Sequence, residues 1–154
     1  MTKNMMKISK YILESLHNVA QEGKGRILRL EHRVKLQKYE EIAGKLERSI
    51  LDYTYKLEDN EEEALEKLRN MLETFEKVKL FLNNIIYLVI EAGLIAEDEQ
   101  DVYLAYLNMK CSRPEGILFN EAIESIAKNT GRDVDKVKQI VLRLIGEGLI
   151  IARV

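Results

Sequence analysis

LQKYEEIAGKLERSILDYTYKL, residues 36–57, sets Leu36, Tyr39, Ala43, Leu46, Ile50, Tyr53 and Leu57 at alternating steps of three and four residues. That spacing aligns side chains along one face of an α-helix, and over three heptads it is the spacing of a coiled-coil seam. Glu58, Asp59 and Asn60 interrupt it, and Asn60 with Glu63 three residues later can form a capping box for a new helix. Leu68, Met71, Leu72, Phe75, Val78, Leu82, Ile85 and Val89 then form one broad apolar stripe, closed by Ala92 and a glycine cap at Gly93. Two long helices in an antiparallel hairpin follow, with Leu46, Ile50, Leu72 and Phe75 expected to face one another. The seam is longer than one partner helix need cover in so small a core. A homodimer or a complex with a protein partner is therefore expected, with Leu36, Tyr39, Leu46, Ile50, Tyr53 and Leu57 as its line of contact.

Outward from the hairpin, Ile8, Tyr11, Ile12, Leu16 and Val19 predict a short first helix that Gly23 and Gly25 end. On the other side Glu97, Asp98 and Glu99 crowd carboxylates where a helix macrodipole favours them. Val102, Tyr103, Tyr106, Leu107 and Met109 supply a short amphipathic helix behind. Pro114, the only proline, and Gly116 mark the clearest change of texture. A boundary is placed there, giving a helical domain over 1–111, a linker over 112–116 and a smaller domain over 117–154. With 154 residues, 46% hydrophobic and 32% charged, the chain can bury one ordinary core or a core with a small module. Its eight glycines leave little room for the turns of an all-β fold, so the expected class is all-α.

The last segment reads IESIAKNTGRDVDKVKQIVLRLIGEGLIIARV, residues 123–154. Asn120 to Lys128 predicts a helix that stops at Asn129, Thr130 and Gly131, where glycine can adopt the left-handed backbone of a tight turn. Asp133 then caps a second helix with Val134, Val137, Ile140, Val141, Leu144 and Ile145 on its buried face, ended by Gly146 and Gly148. This succession resembles the winged helix-turn-helix superfamily, in which a short helix, a turn and a longer helix lead into a β-strand. The stop at Val154 implies a wing that is absent or rudimentary, hence a truncated version of that fold. The paired helices from about 27 to 92, with the acidic helix near Asp101 behind them, resemble on helix order and leucine spacing the helical domain of archaeal GINS replication subunits. The C-terminal segment departs from the small β domain of those subunits, and no site residue is carried over.

Base reading by such a motif needs donors on the exposed face of the second helix, and Lys136, Gln139 and Arg143 form that stripe. Asp133 and Asp135 stand where phosphates would approach, which favours docking on protein over DNA. Further forward, Lys24, Arg26, Arg29, Arg33, Lys35 and Lys38 concentrate positive charge, with Arg26, Arg29 and Arg33 on one face. That stripe can grip a phosphate backbone, or it can pair with the acidic groups at Glu61 to Glu63 and Glu97 to Asp101. The charge is divided accordingly: residues 1–50 carry +5 and residues 51–110 carry −8.

Cys111 is the only cysteine and is expected as a buried thiol in a reducing compartment. His17 and His32 lack metal-ligand spacing, and neither a phosphate-binding glycine loop nor a nucleophile elbow is present. No catalytic residue, metal, cofactor or small-molecule substrate is therefore expected. The longest purely apolar run, Ile85 to Ile90, is far too short for a membrane span, and a cytoplasmic location is expected. The expected function is a non-catalytic adaptor or scaffold in a DNA-handling assembly. The alternative is a dimeric helix-turn-helix regulator that binds operator DNA.

Overall fold

The computed structural model describes residues 2–22, 28–55, 60–113 and 115–151. Among these residues six α-helices follow one another: α1 Thr2–Glu22, α2 Leu30–Tyr55, α3 Glu61–Glu91, α4 Gln100–Ser112, α5 Phe119–Thr130 and α6 Val134–Glu147. A single 3-10 turn, Glu97–Glu99, leads into α4, and no β-strand occurs among the described residues. The all-α class is therefore observed.

Several boundaries lie where the local chemistry puts them. Asn60 Oδ1 accepts the backbone N–H of Glu63 at 2.8 Å, so the expected cap starts α3. At the other end Gly93 takes a φ of 75°, and its N–H reaches the Ile90 carbonyl while that of Leu94 reaches Val89. Gly131, at a φ of 68°, turns α5 into α6. Asp133 holds the N-cap position of α6 in extended conformation, but its side chain makes no capping bond, contrary to the sequence expectation.

The hairpin expectation needs its largest correction at α1. Rather than a short appendage, α1 has 21 residues and packs against α2, α3 and α4, with Ile12 and Leu16 fully enclosed. Lys10 pairs with Glu47 and His17 with Glu40, so α1 runs antiparallel to α2 along one side of it. Lys35 pairs with Glu91 and Tyr39 sets its ring edge-on to Phe81, centroids 5.9 Å apart, which fixes α3 on the other side. Three helices share a centre that two alone would leave half open.

The expected apolar stripe of α3 accordingly divides. Val78, Phe81, Ile85, Ile86, Leu88 and Val89 are buried. Leu68, Met71 and Leu72 are exposed, so of the four residues expected to face one another Leu46 and Ile50 are in the core, Phe75 is half buried and Leu72 lies outside it.

Helices α4, α5 and α6 pack on one another, with Val102, Leu107, Ile123, Ile126, Val137, Val141 and Leu144 enclosed between them. In α6, Val134 departs from the expected inner face and is exposed. The two groups are not separated by solvent. One cluster of buried residues runs from Met6 to Ile150 and passes through α4.

The residues after α6 complete that joint. Leu149 and Ile150 are buried, and the Tyr103 hydroxyl donates to the Leu149 carbonyl at 3.1 Å. Lys110 Nζ donates to the Ile151 carbonyl at 2.5 Å, and the Ile151 N–H donates to the Tyr11 hydroxyl at 2.6 Å. Side chains from α1 and α4 thus satisfy backbone groups that would otherwise be orphaned beyond a helix end.

Candidate functional site

The residues expected to carry DNA or partner contacts are distributed over two regions, and their surroundings differ sharply. Arg143 does not project freely from α6. Its Nη2 donates to Glu99, which sits on the 3-10 turn, and its Nη1 reaches the Leu94 carbonyl at 3.3 Å and Glu147 at 3.4 Å. Arg132, in the turn between α5 and α6, forks onto Asp101 at 3.2 and 3.0 Å and also donates to the Asp98 carbonyl. Two carboxylates of the acidic run at 97–101, Glu99 and Asp101, are therefore paired with arginines of the C-terminal segment. In sequence the N-terminal arginines are one possible partner for the run; the structure uses arginines of the C-terminal segment instead.

Glu99 registers this environment. Burial works against its ionisation, but the Ala96 N–H, held at 2.8 Å, and the Arg143 guanidinium outweigh it, so its carboxyl lies below the ordinary value. Burial also works against the charge of Arg143, yet Glu99 beside it raises its pKa overall. Because the folded pKa of Glu99 is depressed, its contribution is complete above the ordinary glutamate range and is lost as pH falls through the folded value. An Arg143→Ala variant is expected to be less stable by about 1–2 kcal/mol at neutral pH, a figure reduced for solvent screening. The difference should shrink in acid. Thermal melts at several pH values check this, and a pH-independent difference would assign the loss to packing alone.

Lys136 and Gln139 remain exposed on α6, together with Asp135 and Lys138. Among them stands Leu142, half exposed, and Val134 at the start of α6 is open as well. The outer face of α6 is thus a mixed apolar and charged surface. Its strongest hydrogen-bonding fork is turned away onto Glu99.

A scan against protein-family models and searches of curated proteins and of solved structures each found no match.

In the basic front end, Arg26 and Lys24 lie outside the described residues. Arg29 immediately precedes α2, and its carbonyl accepts the N–H groups of His32 and Arg33 at the first turn of that helix. Its guanidinium is 81% exposed and only 3.9 Å from Glu31, and Arg33 is exposed in the first turn of α2. Lys35 pairs with Glu91, a carboxylate outside the expected groups at 61–63 and 97–101, and that hydrogen bond raises the lysine pKa.

Of the seam residues, Leu36, Leu46 and Ile50 are buried in this chain's own core and Tyr39 is half buried against Phe81. They are spent on intramolecular packing and offer no line of contact to another molecule. Leu57 and the side chain of Tyr53 lie outside the described residues.

Cys111 is half buried, and burial pushes its thiol pKa up, which keeps it protonated and poorly nucleophilic. His32 is buried and His17 is exposed beside Glu40. Among the described residues no group of three or more histidine, cysteine, aspartate or glutamate side chains is placed to hold a metal ion. No helix among them is long and apolar enough to cross a membrane.

The pairings of Arg132, Tyr11 and Tyr103 are not legible in the sequence, because their partners are 31, 140 and 46 residues away. No local pattern encodes such pairings.

Proposed function

We propose that this chain is a non-catalytic adaptor whose C-terminal module, of winged-helix-like type, docks on a protein partner within a DNA-handling assembly. The observation that carries this reading is the use of Arg143. A guanidinium committed to Glu99 and the Leu94 carbonyl is withdrawn from the bidentate contact with guanine that base reading by α6 requires. The surface left open, Leu142 with Lys136, Lys138 and Gln139 around it, has the apolar centre and polar rim of a protein contact. Arg29 and Arg33, exposed at the start of α2, supply at most a sequence-independent attraction for phosphates.

A second reading, a helix-turn-helix regulator, draws support from the exposure of Lys136 and Gln139 on the helix that would enter a major groove. The two are separated by titrating the full chain with duplex DNA of varied sequence and salt, and by co-purification from the native host with Leu142→Asp and Lys136→Glu variants. The adaptor reading expects weak, sequence-independent DNA binding and a partner that is retained by the wild type and lost by both variants. Sub-micromolar, sequence-selective DNA binding at physiological salt would favour the regulator and sink the adaptor.

A further inference from the structure

The first half of α3 carries an exposed apolar line. Leu65, Leu68 and Leu72 are 58%, 52% and 59% exposed, Met71 is open beside them, and Phe75 is half covered. At the same spacing this line continues into Leu82, Ile86 and Val89, which lie half buried or buried in the bundle. A buried seam therefore emerges onto the surface, and such a run of leucines is more than the scattered apolar residues of an ordinary monomer surface.

The line has a further property, which identifies its occupant. About Asn70 it is symmetric: Glu61, Leu65 and Leu68 precede Asn70 by nine, five and two residues, and Leu72, Phe75 and Lys79 follow it by two, five and nine. The two ends carry opposite charges. Glu61 and Lys79 are both exposed, and neither has an ion-pair partner among the described residues.

We infer that a second copy of this chain docks here, with the two α3 helices antiparallel about a two-fold axis at Asn70. Leu68 then packs on Leu72 of the other copy and Leu65 on Phe75. Glu61 meets Lys79 at each end, so every charge on the line is matched. A parallel arrangement would set Glu61 against Glu61 and Lys79 against Lys79. The two bundles lie at opposite ends of the joint, which spans 61–79, or roughly 27 Å of helix. This pairing is independent of what α6 docks on, since it uses none of the same residues.

Sedimentation equilibrium on the full chain tests it. The wild type is expected to dimerise, and a Leu68→Glu, Leu72→Glu double variant to be monomeric with an unchanged helical circular dichroism spectrum. Glu61→Lys and Lys79→Glu should each weaken the dimer by about tenfold, because the two-fold axis counts each altered contact twice. Combined in one chain, the two reversals should restore it. A wild type that stays monomeric at about 0.1 mM, well above ordinary dimer affinities, overturns the inference. So does a dimer indifferent to the leucine changes, loss of helix in the leucine variant, or a charge swap that does not restore association.

Discussion

An Ile12→Asp variant is expected to lose its cooperative fold. Ile12 is fully enclosed at the middle of α1, where that helix meets its neighbours, and an aspartate there would have to ionise without a partner or remain protonated against its intrinsic preference. Either course costs about 4 kcal/mol or more, a large share of the roughly 5–15 kcal/mol that holds a small protein together. Leu68→Asp, on the open half of α3, should cost well under about 1 kcal/mol in the monomer. Thermal melts at 222 nm compare the two. Similar melting temperatures would show that α1 is not the centre of the bundle.

The second large effect concerns the joint between the bundle and the C-terminal helices. Tyr103 is fully buried on α4, and burial pushes its phenol pKa up, so the hydroxyl stays protonated and donates to the Leu149 carbonyl. Tyr103→Ala removes the ring and that donor together and is expected to cost about 3–5 kcal/mol. Tyr103→Phe keeps the packing and leaves the carbonyl without its donor, for about 1–3 kcal/mol. Because one core runs through α4, both variants should melt in a single transition, with hydrogen-exchange protection lost together in α1 and α6. Two transitions, the lower one confined to α5 and α6, would instead divide the chain near residues 112–116.

These expectations separate what the residues announce locally from what only assembly reveals. The spacing of Leu36 to Ile50, the cap at Asn60, the glycines at 93 and 131 and the inner face of α6 at Val137, Val141 and Leu144 were all legible, because helix periodicity and positive φ are properties of a few neighbouring residues. The same local rules could not say what each apolar face would meet. Leu36 and Leu46 look like a seam for another molecule until α1 and α3 close over them, and Leu68 and Leu72 look like core until the bundle leaves them open. Charges behave likewise. Arg143 has the position of a base-reading side chain in sequence, and its guanidinium is turned inward only because the chain brings Glu99 and the Leu94 carbonyl beside it from 44 and 49 residues away. The sequence by itself determined which of the described segments are helical and, at Asn60, Gly93 and Gly131, where they begin or end, since those depend on contacts within a turn or two. Tertiary structure decided which faces are buried, which arginines are spoken for and which leucines stay exposed, since burial and ion pairing depend on segments that only the fold brings together.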